Sequence, residues 1–491
     1  MNSSLIETEL TKLPRPVRNK PRFTPRIIHF GPGAFFRSFV ASLIDEVNDK
    51  SDEKWGILAV SLNSESTFDK LVSQDFVFNS LAMSSVGKEV QQISSISDFL
   101  VAHKDGQAVL DALSDENIEI VSLTITEKGY CYNSEKRSLD FTNQKIVEDL
   151  SNSENPQTAV GFIVAGLRDR YLNRQSPFTV LSCDNLPNNG AIVKKIVLDF
   201  AQKIDLAFAN WISKQVCFPS TMVDRITPAT KEKDITSFAT KYGIYDPALV
   251  VHEDFFQWVI EDKFFPVRPS FELAGIQMVN NVELHEKMKL RCLNGTHSAL
   301  AYLGYLAGFN TIAECSSDKI MAQYILYLWE KEIIQTLETP EGENLNGYCQ
   351  QLLARYQNSS IEHSTWQIAM DGSQKLPQRI LETVTYLLKN KKSFKGLALA
   401  IAAWIKYVSG NDLAGKSIDL RDPMADDFAT ISKNSKTSEQ FVESILNIRE
   451  VFPLHLRESS VFRKEIQNAF YFLEQLGSIG AIQKVVNILE N

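Results

Sequence analysis

The sequence predicts an α/β N-terminal domain with a mostly parallel sheet, followed by an all-α C-terminal domain. Three observations carry this. Short β-branched runs alternate with helical periodicities up to about residue 282, and such alternation builds a parallel sheet flanked by helices. The first of these runs passes through a glycine turn straight into a helix pattern, the layout of a first βα unit in a dinucleotide fold. From about residue 283 the strand signal stops and long helical periodicities take over. The domains read as 1–282 and 283–491, in keeping with a chain of 491 residues, too long for one ordinary core.

The first strand is placed at 26–31, running into Gly31-Pro-Gly-Ala-Phe-Phe-Arg-Ser-Phe39 and a helix over 41–47. Gly31 and Gly33 let the backbone approach a pyrophosphate, the helix N-terminus adds partial positive charge, and Arg37 suits a phosphate. The third glycine of the fingerprint is Phe36, so a plain strand-to-helix turn is the alternative. A strand over 55–62 ends at Asn63-Ser64-Glu65, where an adenosine ribose would be read, although the spacing from Gly33 exceeds the usual ~20 residues. Further strands are expected at 118–125 and 178–183, with helices at 107–113 and 158–171. In the C-terminal part, helices are expected at 286–309, 317–337, 377–389, 393–408, 437–447 and 461–475.

Composition excludes several classes. The net charge of -9 disfavours nucleic acid, whose backbone requires clustered Lys and Arg. Six scattered cysteines form no CxxC pair and no zinc spacing, and they read as reduced thiols of a cytoplasmic protein. The start is polar, without the apolar segment of a secretory signal. Residues 12–26 are basic but broken by four prolines, which suits an extended surface arm better than an amphipathic helix. The longest uncharged apolar run, near 396–405, falls far short of the roughly 20 residues of a membrane span.

One segment concentrates chemistry: Glu286-Lys-Met-Lys-Leu-Arg-Cys-Leu-Asn-Gly-Thr-His297, just before an apolar helix. On an α-helix Glu286, Lys289 and His297 fall within about 80° of one another, with Asn294 about 140° from Lys289. A solvated helix face is the alternative. Glu127 and Lys128 follow a strand, as a surface ion pair or as lining of a cofactor cleft. Asp184 and Asn185 follow another, either capping the next helix or, for Asn185, donating to a substrate oxygen. Asp224 and Arg225 suggest a buried ion pair or a ligand contact. Lys375 opens a helix, as an anion contact or in a solvated turn. His252, Glu253, Asp254 and Glu261 match no zinc-hydrolase motif, so no metal is expected, and no GxSxG elbow supports a hydrolase.

Taken together, Gly31-x-Gly-x-Phe-x-Arg37, Thr126-Glu-Lys-Gly129, Asp184-Asn185, Val223-Asp-Arg-Ile226 and Lys289-x4-Asn294-x2-His297 resemble the long-chain polyol dehydrogenases, the mannitol dehydrogenase family. The stretches 122–131 and 365–379 are similar to its fructuronate-reducing branch. The family loop usually reads His-Arg-Ala-His where this chain has Phe36-Arg37-Ser38-Phe39. The resemblance implies a Rossmann-type NAD-binding domain, a helical substrate domain, a cleft between them, and metal-free hydride transfer to an open-chain sugar acid or polyol. It also implies roles: Lys289 as general acid/base, Asn185 and Asn294 as oxyanion donors, His297 orienting substrate, and Glu286 relaying the proton. Asp224 and Lys375 would bind substrate. Ile28, His29, Phe30, Gly31, Pro32, Gly33, Ala34, Phe35, Phe36, Arg37, Asn63, Glu127 and Lys128 would hold NAD. The protein is expected to be a monomer or small homo-oligomer with no nucleic-acid or membrane partner. A non-catalytic sensor of NADH or a sugar acid is the reading from another class.

Overall fold

The computed structural model describes residues 10–84, 87–133 and 136–486, so both outer ends of the predicted domains lie outside the described residues. The chain divides into two compact units, the first ending at Glu283 and the second starting at Leu284.

In the first unit, five strands form one parallel sheet: β1 (Pro25–Phe30), β2 (Gly56–Ser61), β3 (Ile96–Val101), β4 (Ile120–Leu123) and β5 (Thr179–Ser182). Their spatial order is β3-β2-β1-β4-β5. Every residue of β2, β4 and β5 is buried, which explains why these strands read as unbroken apolar runs. Strand order reverses between β1 and β4, and ligands of such sheets collect at the carboxyl ends on either side of that point. The sequence reading names β1, β2, β4 and β5 but misses β3, where Ser97 and Asp98 interrupt the apolar pattern. It also misses two smaller sheets, one of Phe78–Met83, Lys88–Ile93 and Val250–Glu253, the other of Thr221–Asp224, Gln257–Glu261 and Gln277–Val279.

The predicted basic arm is stitched down. Arg18 pairs with Asp75 at 2.8 Å and donates to the carbonyls of Ser94 and Ile96, and Lys20 pairs with buried Asp45 at 2.7 Å.

The second unit is helical throughout its described residues, isolated bridges aside. Helices Thr296–Ala307 and Lys395–Val408 are buried on nearly every side and form its centre. The last helix runs Ser460–Val486, longer than expected, with a break at Gly477 where φ is 69°. Helices Ile312–Ser317, Leu345–Tyr356 and Ala425–Asn434 have no counterpart in the sequence reading. Among the described residues no helix is long and apolar enough to cross a membrane.

Candidate active site

In the first unit the site grows from the end of β1. Gly31 has φ of +90°, and a Cβ there would lie 2.1 Å from the Thr124 carbonyl oxygen at the end of β4, so only glycine fits. Thr124 Oγ1 donates to the Gly31 carbonyl at 2.7 Å and ties the two loops together at the switch point. After Pro32, Gly33 caps the helix that starts at Ala34 and Phe35 without a side-chain bond. The first-turn amides and the positive end of the helix are thereby offered to an anion, and a Cβ on Gly33 would meet nothing closer than 3.9 Å. These features fit the pyrophosphate of NAD.

Phe36, in place of the third glycine, lies flat on the His29 ring with centroids 3.8 Å apart. An aromatic stack thus fills the helix–strand gap that a glycine would close. Ile28, His29 and Phe30 are fully buried in β1. Burial drives the His29 ring down to about 3, and its nitrogens reach Ser122 and Thr124, both at 2.8 Å. His29 is a neutral prop beneath the loop. Arg37 is buried too, lowered by burial to about 10, and donates to the Pro32 carbonyl at 3.2 Å, bracing the same loop.

Asn63 is exposed at the end of β2. Beside it Glu65 accepts from Lys104 and, at 3.2 Å, from His103; Lys104 holds the Glu65 carboxyl below its ordinary value. The sequence reading missed this lysine, which arrives from the far end of β3. The capping role weighed for Asp184 is corrected, because helix Asn189–Ile204 starts at Asn188 with no side-chain cap. Asp184 instead accepts from the amides of Ile125 and Thr126 and from the Tyr130 hydroxyl, at 2.9, 3.2 and 2.7 Å. These bonds fix the turn Thr126–Gly129, from which Glu127 and Lys128 project into solvent; Asn185 is exposed as well.

Asp224 is buried at the end of its strand, and Arg225 donates to the main-chain carbonyls of Phe255 and Ser38. His252 is tied to Ser80 at 2.8 Å and to the Glu253 carbonyl at 2.5 Å. Among the described residues no group of His, Cys, Asp and Glu is arranged to hold a metal.

In the second unit the 286–297 segment is not a single α-helix. Glu283–Met288 is α-helical, Lys289–Gly295 is a π-helix, and Thr296–Ala307 is α-helical again. This corrects the angular reading. An i→i+5 turn closes over five residues, so Asn294 comes round onto the face of Lys289 rather than about 140° away. Lys289, Asn294 and His297 are 7%, 8% and 6% exposed, and Glu286 is half-buried. The solvated-face alternative therefore fails.

Side chains from other helices pin the wide turn. Trp329 Nε1 donates to the Cys292 carbonyl at 2.9 Å and the Tyr356 hydroxyl to the Leu293 carbonyl at 2.7 Å. Gly295 admits the Arg379 carbonyl so closely that a Cβ would lie 2.7 Å from it. The His297 ring stacks on Tyr356 at 5.3 Å and meets His363 edge-on at 4.6 Å. Burial, followed by His363, Arg379, Arg355 and Lys375, holds His297 well below its ordinary value, so the ring is neutral. Its Nε2 is buried and makes no hydrogen bond to the described residues. Burial and then Arg379 lower Lys375 to about 8, and its Nζ donates to the Met370 carbonyl at 2.6 Å, so Lys375 does not sit in a solvated turn. Trp329, Tyr356, His363 and Arg379 were not singled out in the sequence. Only Arg379 lies in a stretch that the resemblance had flagged.

A parallel sheet with a glycine turn at its switch point, joined to a helical unit that buries a lysine, an amide and a neutral imidazole together, defines a dinucleotide-dependent dehydrogenase. Residues 25–273 match the mannitol dehydrogenase Rossmann domain and residues 281–474 the mannitol dehydrogenase C-terminal domain. The chain belongs to the mannitol dehydrogenase family. It is 41% identical over 477 residues to the uncharacterized oxidoreductase YeiQ of Escherichia coli (strain K12), covering 97% of each chain. It is 38% identical over 480 residues to D-mannonate oxidoreductase of the same organism, covering 97% of this chain and 98% of the relative. Among solved structures, Pseudomonas fluorescens mannitol 2-dehydrogenase in ternary complex with NAD and D-mannitol is similar with a TM-score of 0.85 and 33% identity. That match covers 98% of this chain and 99% of the other.

Proposed function

We propose that this NAD-dependent oxidoreductase of secondary alcohols is a fructuronate reductase, interconverting D-fructuronate and D-mannonate. The observation that carries the reading is the setting of neutral His297, on which Arg379, Arg355 and Lys375 all act, in the unit that also buries Lys289 and Asn294. A sugar acid brings a carboxylate to such a concentration of cations, and a neutral polyol does not. The identity to D-mannonate oxidoreductase supports the same substrate class.

The chemistry that NAD supplies when bound is hydride transfer at the substrate carbon. In this reading the loop of residues 31–35, with Asn63, Glu127 and Lys128, holds the dinucleotide, and buried Ile28, His29, Phe30, Phe36 and Arg37 support that loop from beneath. Lys289 gives a proton to the substrate oxygen during reduction and recovers it during oxidation, while Glu286 passes that proton to solvent. Asn185 and Asn294 donate amide hydrogen bonds to the same oxygen as its charge develops, worth about 3 kcal/mol per donor. Neutral His297 orients a substrate hydroxyl, and Asp224 and Lys375 contact the sugar acid. The free cysteines support a reducing, cytoplasmic setting.

The test is an absorbance assay at the NADH band against fructuronate, tagaturonate, fructose, mannonate and mannitol, with NAD(H) and NADP(H). Highest kcat/KM on fructuronate and mannonate with NAD(H) supports the reading. Preference for fructose and mannitol would replace it with a mannitol 2-dehydrogenase, the alternative favoured by the likeness to the mannitol complex. NADH binding without turnover of any substrate would leave a sensor.

A further inference from the structure

We infer that Arg379 is the specificity-determining residue that pairs with the carboxylate of the sugar acid. The inference rests on the fructuronate reading and deepens it. Lys375, the anion contact expected from the sequence, has its charge answered already: Nζ donates to the carbonyls of Met370 and Ile368, just before its own helix, and Asp371 and Asp422 both act favourably on it. Arg379 is different. It stands in the π turn Pro377–Leu381, half-buried, and no carboxylate among the described residues pairs with it. Its guanidinium donates to Ser298 Oγ at 3.1 Å, next to His297, and its main-chain carbonyl rests against Gly295, next to Asn294.

Arg379 is thus anchored at both ends to the segment that carries Lys289, Asn294 and His297. A partly buried guanidinium with no acidic partner among the described residues is costly to fold. A planar fork of donors suits a carboxylate in a two-point pair, and a substrate that carries one supplies the missing counter-charge as it binds. A polyol or a ketose has no group that answers it.

Arg379→Met keeps the length of the side chain and removes the charge, and Arg379→Lys restores charge without the fork. With the full-length protein, kcat/KM for fructuronate and mannonate should fall about a hundredfold in Arg379→Met and partly recover in Arg379→Lys. Any weak activity on fructose or mannitol should hold or rise. A second readout is thermal: mannonate added with NADH, a pair that does not react, should raise the melting temperature of the wild type but not of Arg379→Met, which should itself melt no earlier than the wild type. If Arg379→Met keeps its uronate kcat/KM and its mannonate-induced shift, Arg379 does not read the carboxylate, although the fructuronate reading stands. If the wild type turns over no sugar acid, that reading falls and takes this one with it.

Discussion

Replacing Glu332 with Gln should change how the stability of the helical unit depends on pH. Glu332 is fully buried in the π turn Leu328–Ile333, where its two oxygens accept from the amides of Gly396 and Leu397, each at 2.8 Å. Burial pushes the carboxyl up from 4.5 to about 7, although the two amides pull the other way. The folded state therefore holds this proton more tightly than the unfolded chain does. The resulting stability is complete below about pH 4.5, declines above it, and is gone once pH has risen through 7. At about 1.4 kcal/mol per pH unit, the interval corresponds to roughly 3 kcal/mol. Gln does not titrate, keeps one acceptor oxygen and loses one amide bond, a fixed cost of about 1 kcal/mol. Urea unfolding of both proteins from pH 5 to 8 measures the difference. Variant minus wild type should rise toward high pH by up to roughly 3 kcal/mol. A difference that stays flat across this range would refute the argument that the buried carboxyl ionises only at a cost.

Lys289→Ala should cut turnover by orders of magnitude in both directions while NADH binding, read by fluorescence titration, persists; retained turnover removes the lysine from proton transfer. Asn185→Ala and Asn294→Ala should each lower kcat about a hundredfold with little change in KM, and a change in KM alone would reject both as oxyanion donors. Tyr356→Phe takes the 2.7 Å donor from the Leu293 carbonyl, at a cost of about 1–2 kcal/mol. Its kcat should drop severalfold with NADH affinity unchanged, and an unaltered kcat would mean that the π turn needs no such support.

What was legible in the sequence follows from what is local. β1, β2, β4 and β5 are short runs buried on both faces, so apolar and β-branched residues announce them without help from partners. The strand Lys88–Ile93 is polar at most positions and exists because Phe78–Met83 pairs with it. That pairing was invisible. The cofactor loop shows the same division. Gly31 and Gly33 could be seen, but the reason for Gly31 is a carbonyl at Thr124, and the reason for Phe36 is the ring of His29. Asp184 looked like a cap because it precedes a helix, yet its partners are amides of another loop. Residue type was readable at each point, and partner was not.

The largest misreading concerned phase. A 3.6-residue period places Lys289 and Asn294 on different faces, and a single wide turn brings them together. Such turns are rare because they open the helix and pack poorly, so each needs a reason to persist. Among the described residues four occur: Arg37–Ala41, Lys289–Gly295, Leu328–Ile333 and Pro377–Leu381. The first follows the glycine loop. The second carries the lysine and the amide, while the third supplies Trp329, whose indole donates to the second. The fourth supplies Arg379, whose carbonyl packs on Gly295 of the second. The third and fourth therefore both brace the second, and the strain of opening that helix is offset by groups that the other two present. A helical periodicity records which residues are buried, but it assumes a constant advance per residue. In this chain Lys289 and Asn294 stand where that advance changes.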